Sequence, residues 1–310
     1  MNGILLDAKA VRGFPTGHFA LRLDTDNVSE ITLLPGSVGG SVYADVTSVF
    51  EAGFNFARKN LGPPKYEAFA IPIGVAMSKG LFDWVAGSWG PNPEAKRGAV
   101  IGVDANFNIK SEAEFSGALV VETGIPALDA ASKQAGSLTV RFQPESINID
   151  LKPSAGKLLL MLAKQKLWRT ANFRLQIDGL NCTKVSKIDA FTVTRSVTLA
   201  SPSSGGGKLV SDKVDFPNLK ITLSQISAQS WFDWHKSFVV DGNNGDDFER
   251  NGTITFLSTN LQTELSRIEL HHLGIIRLTL EPSDSASPIA RVRAELYCEE
   301  MVLSQGVNPW

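Results

Sequence analysis

The chain has 310 residues, with 20% of them charged and a formal net charge of −2, enough for two domains of about 150 residues each. That balance gives no electrostatic reason to expect nucleic acid as a partner, and little to expect an anionic membrane surface. No apolar run reaches the ~18 residues of a membrane span, and the N-terminus lacks the charged-then-apolar pattern of a signal peptide.

In chain order, His18 to Asp24 alternates Phe19, Leu21 and Leu23 against polar neighbours, the period of a half-buried strand. Ile31 to Leu34 is a strand stopped by Pro35-Gly36, and the Gly/Ser run from Gly36 to Ser41 is a connection. Tyr66 to Ile73 is a strand that leads to a short helix, with Ser78 before a stripe of Leu81, Trp84, Val85 and Trp89. After a polar loop from Pro91 to Arg97, strands follow at Ala99 to Val103, Phe115 to Val121 and Ser137 to Phe142. Pro153-Ser154 then opens Ala155 to Trp168, where Leu158, Met161, Leu162, Gln165 and Trp168 approximate a helical stripe. We expect a helical linker over 151–168 between domains at 1–150 and 169–310.

The second half reads similarly. Asn172 to Asp178 is an alternating strand ending in an Asp178-Gly179 turn, and Asp189 to Leu199 is a Thr/Val-rich strand. That strand runs into the flexible loop Ser201-Pro202-Ser203-Ser204-Gly205-Gly206-Gly207-Lys208. Asn218 to Leu223 is a strand before a second helix, which Ser230 can cap, with Trp231, Trp234, His235 and Phe238 at i, i+3, i+4 and i+7. A polar loop from Asp241 to Asn251 precedes strands at Thr253 to Leu257, Leu265 to His271, Ile275 to Leu280 and Ile289 to Cys298.

The halves echo each other residue by residue. Leu81-Phe82-Asp83-Trp84 returns as Trp231-Phe232-Asp233-Trp234, an offset of 234 − 84 = 150, and the same offset relates Phe69, Ile71 and Ile73 to Leu219, Ile221 and Leu223. Glu114 and Gly124 answer Glu264 and Gly274 at this offset. Phe19, Leu21 and Leu23 answer Phe173, Leu175 and Ile177 at 154, as Phe142 and Glu145 answer Leu296 and Glu299. A period this long is a whole domain, well beyond the ~20–50 residues of solenoid repeats. The expectation is a tandem duplication of a mainly β domain with one helix per repeat, an antiparallel sandwich or partly closed barrel.

Chemistry is sparse. Nucleophile elbow, dinucleotide fingerprint and phosphate loop are all missing, and Gly205-Gly206-Gly207-Lys208 lacks the spacing of the last. His271-His272 near Glu269, with His235 from elsewhere, is the best metal candidate. Adjacent strand residues point to opposite faces, so no metal site is expected there. Asp241 to Asp247 matches a calcium loop poorly. Cys182 and Cys298, both in the second half, read as free buried thiols. No catalytic residue and no cofactor is expected. Trp84, Trp89, Trp231 and Trp234 are expected to pack as lids over a sheet face.

The order of these elements resembles the tail-tube domain of contractile phages and of related bacterial injection systems. The resemblance is carried by Asn172 to Gly179, Val185 to Thr194, Asn218 to Leu223, Trp231 to Trp234, Arg250 to Leu257 and Ala294 to Met301. It spans roughly Trp168 to Leu303, and more faintly Gly17 to Glu145. It implies a non-enzymatic structural protein that pairs strands between subunits into a ring or tube around a lumen. Its partners would be further copies of itself, as a trimer or hexamer, and neighbouring tube, sheath or baseplate proteins. It would be assembled in the bacterial cytoplasm and end in a virion tail or tail-like particle. The loop holding Ser201, Ser204, Gly205, Gly206, Gly207 and Lys208 falls where the family contacts a neighbouring subunit. The duplication departs from a single-domain tube subunit and is similar to a hub or tube-initiating adaptor. Two other readings stay open: a β-sandwich carbohydrate-binding module using exposed tryptophans and the Asp241 to Asp247 loop, and a hydrolase joining His235 or His272 to a carboxylate.

Overall fold

The computed structural model describes residues 18–24, 29–34, 38–50, 52–53, 55–75, 77–151, 156–158, 168–200, 208–281 and 290–306. The chain is mainly β, and its sheets form a nearly closed barrel. The first half supplies strands β1 (His18–Asp24), β2 (Ser29–Leu34), β3 (Val42–Val49), β4 (Arg58–Tyr66) and β5 (Phe69–Ile73), then helix α1 (Lys79–Gly87). It continues with β6 (Lys96–Val103), β7 (Ile109–Ile125), β8 (Leu128–Asp129), β9 (Leu138–Gln143) and β10 (Ser146–Asp150). The second half supplies β11 (Trp168–Ile177), β12 (Val185–Ile188), β13 (Phe191–Ala200), β14 (Lys208–Asp215) and β15 (Leu219–Ser224), then α2 (Gln229–His235). Strands β16 (Arg250–Ser258), β17 (Glu264–Glu281) and β18 (Arg291–Gln305) complete it.

Antiparallel pairing follows the same order in both halves. β1 pairs with β6 and β6 with β7, while β9 pairs with both β7 and β5. Likewise β11 pairs with β16 and β16 with β17, while β18 pairs with both β17 and β15. Each half also carries a hairpin, β3–β4 and β13–β14, with one register shift at the same place, between Ala44 and Val46 and between Arg195 and Val197. Side-chain contacts repeat too. Trp84 donates its indole N–H to the Glu94 carbonyl at 3.0 Å, and Trp234 to the Phe248 carbonyl at 3.2 Å. Gly98 and Gly252 occupy matching crossings, where a Cβ would stand 2.0 Å from the Arg22 carbonyl and 2.7 Å from the Gln176 carbonyl. Alternation of apolar residues along β1 and β11 sends Leu21, Leu23, Leu175 and Ile177 into one continuous core.

Several sequence expectations change. Strand pairing puts β7 and β17 at an offset of 155, since Val100 faces Ala113 while Ile254 faces Ile268, 268 − 113 = 155. The counterpart of Gly124 is therefore Thr279, not Gly274. The environments agree: a Cβ on Gly274 would strike the Tyr297 ring at 2.1 Å, whereas Gly124 has Thr139 at 3.6 Å. Leu265 to His271 and Ile275 to Leu280 are one strand, β17, because the backbone passes the intervening residues through a bulge with His272 at φ 54°. Its counterpart in β7 is Gly117, at φ 60°. The strand expected from Asp189 to Leu199 is β13, which starts two residues later, at Phe191, because Asp189 and Ala190 form the connection from β12, which ends at Ile188.

The helical linker is not seen where the segment is described. Lys157 bridges Asn108 and Trp168 opens strand β11, while 152–155 and 159–167 lie outside the described residues. Trp168 is held in an extended chain by Gly136: Gly136 N–H donates to the Trp168 carbonyl at 2.9 Å, and the indole lies where a Cβ would be. Ser230 is not a cap. It sits inside α2, whose N-cap is Ala228, and its hydroxyl accepts the Asn181 N–H at 3.0 Å.

Candidate assembly interface

The halves are stitched by strand exchange. β13 of the second half pairs with β7 of the first, Phe191 opposite Ile125 through Thr194 opposite Glu122. β8 of the first half pairs with β12 of the second. The β13–β14 hairpin is thereby a strand extension of the first-half sheet, which runs β14-β13-β7-β6-β1-β2. Pairing consumes the backbone donors and acceptors of the β7 edge beyond the point where β6 ends.

Side chains lock this junction. Arg195, on β13, is 5% exposed. Its Nε donates to the Ser88 carbonyl at 2.8 Å, Nη2 to the Gly90 carbonyl, and Nη1 to the Asp212 carbonyl at 2.7 Å and the Ser211 hydroxyl at 3.1 Å. Ser88 and Gly90 follow the C-terminus of α1, where unpaired carbonyls concentrate negative partial charge. One guanidinium from the second half therefore closes the helix end of the first, and burial lowers its pKa. Glu145, in the first half, accepts the Leu209 N–H of β14 at 2.7 Å. Trp89 donates to Thr123 at 3.2 Å and packs edge-on against Phe216 of the second half.

The four tryptophans named for packing are all buried: Trp84, Trp89, Trp231 and Trp234. Trp231 donates to the Asn181 carbonyl at 3.1 Å, so each buried indole N–H has a partner. No ring among the four is open for stacking a sugar. Of the residues named for subunit contact, Ser201, Ser204, Gly205, Gly206 and Gly207 lie outside the described residues. Lys208 opens β14, exposed, beside the Leu209–Glu145 contact within the same chain. Arg195 and Glu145 escaped sequence reasoning. The available signal was an arginine alone in the Thr/Val-rich run of β13.

A second cluster surrounds the β17 bulge. His272 Nδ1 lies 2.8 Å from Glu249, and Tyr297 donates its hydroxyl to the other Glu249 oxygen at 2.5 Å. Ligand atoms of Glu249, His272 and Glu299 lie within 4.8 Å of one another, so among the described residues these three are a group that could hold a cation. The hydrogen bond that Glu249 accepts from the protonated ring raises the His272 pKa above 6.5, and burial with the same carboxylate raises that of Tyr297. Both Glu249 oxygens are already engaged, which makes the cluster a brace for the bulge. The other residues weighed as metal candidates are not brought together: His271 stands 3.9 Å from Glu269, whose nearer partner is Arg267 at 2.9 Å. The Asp241 to Asp247 loop is exposed. An open groove of about 600 Å³ beside it is lined by Asp233, Trp234, Asp247, Glu249 and Arg250 and takes in neither His235 nor His272. Cys182 and Cys298 are free thiols; Cys298 is buried, which pushes its pKa up to about 12, and Cys182 is half-buried.

No family model and no curated protein matches the chain. Among solved structures, a chain of the anti-feeding prophage baseplate, 6-fold symmetrised, aligns at 12% identity and a TM-score of 0.30, over 48% of this chain and 98% of that one. Hcp1 from Flavobacterium johnsoniae aligns at 10% identity and a TM-score of 0.27, over 43% of this chain and 95% of its own.

Proposed function

We propose that the chain is a non-enzymatic structural protein of a contractile phage tail or phage-tail-like injection system, built from a tandem duplication of one tube-type domain. Its halves are 1–150 and 169–310, joined through 151–168, and its function is to close a ring around a lumen by β pairing between domains. The observation that carries this reading is the β13–β7 junction: one domain extends the sheet of the other by donating a hairpin to its edge. The repeated pairing order and the resemblance of the second half to a tail-tube domain support it. So does the placement of the tryptophans in the core, where they stabilise the domain instead of presenting a binding face.

A hub or tube-initiating adaptor is the second reading within the same assembly. The unlike halves favour it, because a ring of such chains alternates two kinds of domain. Negative-stain electron microscopy across a concentration series, beside solution mass, tests both. Rings with a threefold average are expected for an adaptor of paired domains, and sixfold rings for six chains. A strict monomer at every concentration would remove the self-assembling tube.

A further inference from the structure

The junction inside the chain has two ends that the chain itself leaves unmatched. β13 covers the β7 edge, and the residues concerned are buried: Thr123 and Ile125 on β7, Phe191 and Val193 on β13. The matching surfaces of the other two elements are bare. The hairpin β3–β4 forms a separate two-stranded sheet, with no further pairing among the described residues. Val42 and Tyr43 are 42% and 47% exposed, and Val46, Val49 and Leu61 are exposed as well. On β17, pairing with β16 stops at Leu273, so beyond it β18 is the only strand that pairs with it among the described residues. Leu280 there is 58% exposed, against 2% for its counterpart Ile125. A bare strand edge and an apolar hairpin are each a liability in a lone monomer.

Resting on the assembly reading above, we infer that the β3–β4 hairpin of one copy docks on the β17 edge of a second copy, in the register of the internal junction. The register follows from two matched irregularities. The β7–β9 shift between Val120 and Glu122 answers the β17–β18 shift between Ile275 and Arg277, which sets β7 against β17. The hairpin shifts set Ala44 against Arg195 and Val46 against Val197. Val193 opposite Thr123 thus becomes Val42 opposite Leu278 of the second copy, and Thr194 opposite Glu122 becomes Tyr43 opposite Arg277. Glu145, which accepts the Leu209 N–H across the internal junction, has Glu299 as its counterpart, and Leu209 has Lys59. The copy–copy contact accordingly faces a carboxylate with a lysine. Donor and acceptor lie on different halves, so the contact is head-to-tail, a geometry that gives a closed ring or an open filament and not a two-fold dimer. Arg195 has Ala44 as its counterpart, so the contact between copies lacks the buried arginine and is the weaker of the two.

Paired cysteines test the register. A Val42→Cys chain is mixed with a Leu278→Cys chain under a mild oxidant, and disulfide-linked dimer is read on a non-reducing gel. Mixing Val42→Cys with the unaltered chain sets the background from Cys182 and Cys298. Opposed residues of an antiparallel pair bring Cβ atoms to about 4.5–5.5 Å, so at least tenfold more dimer than background is expected. Thr279→Cys, one residue along and facing the other side, should give no excess. Background-level crosslinking in a sample that forms rings by microscopy would overturn this register and leave the ring intact. Background-level crosslinking in a sample that never assembles would overturn both.

Discussion

The two halves share a pairing order, yet they spend their hairpins differently. The second-half hairpin is built into the first-half sheet, with Phe191 and Val193 buried, while the first-half hairpin stands apart with Val42 and Tyr43 exposed. The edge that receives a strand in β7 is open in β17. The same local fold therefore does two jobs, and the difference is written in single residues. Arg195 replaces an alanine, and the bulge glycine of β7, Gly117, is replaced in β17 by His272. In β7, Glu145 folds over the bulge and its carboxylate lies 2.1 Å from where a Gly117 Cβ would be. In β17, a side chain fills that space and is held by Glu249.

The largest expected effect comes from the residue that most separates the hairpins. Arg195→Ala strands the carbonyls of Ser88 and Gly90 at a closed interface, and losing charge-assisted hydrogen bonds of this kind costs about 2–3 kcal/mol. Chemical denaturation should read that loss, whereas Ala44→Arg on the free hairpin should leave monomer stability within about 0.5 kcal/mol. An unchanged midpoint for Arg195→Ala would mean that the strand pairing alone holds the halves.

The bulges differ in their response to pH. Because Glu249 raises the His272 pKa above 6.5, the contact stabilises the fold in full below about pH 6.5, the value of an unpaired histidine. The contribution fades as pH rises through the raised value. His272→Gln should therefore lower the melting temperature at pH 5.5 and leave it nearly unchanged at pH 9. Equal losses at both pH values would show that the side chain acts by packing alone.

The smallest effect is expected at a pair whose polarity the halves reverse. Arg141 meets Glu122 at 3.0 Å across β9 and β7, and the matching pair, Glu295 and Arg277, stands at 3.9 Å. Exposed pairs contribute about 0.2–1 kcal/mol. The double swap Glu122→Arg with Arg141→Glu gives the first half the polarity of the second, and should restore most of what either single change loses in a double-mutant cycle. Additive losses would mean that the neighbours on β13 read the sign of Glu122.

Much of the fold was legible in the sequence because the relevant signals are local. Alternation in His18 to Asp24 and Asn172 to Asp178 marks strands, since one face of each must be buried. The Trp-bearing segments announced packing helices by their large apolar area. The offset of 150 agrees with the structure at Trp84 and Trp234, whose indoles are both buried and donate to the carbonyls of Glu94 and Phe248. It differs by five residues along β7 and β17, where pairing matches Glu114 with Glu269 and Gly124 with Thr279, because a shared residue type there is not a shared position. The junction was not legible: nothing local in β3 or β13 says which hairpin will find an edge.

By itself, then, the sequence determined the strands, the Trp helices and the likeness of residue pattern between its halves, because these depend on periodicity and on side chains near in the chain. The tertiary structure alone decided that β13 crosses to β7, that Arg195 caps the end of α1, and that His272 takes the bulge position of Gly117. Each of those depends on which backbone groups are left unpaired after the local elements have formed, and that is a property of residues distant in sequence.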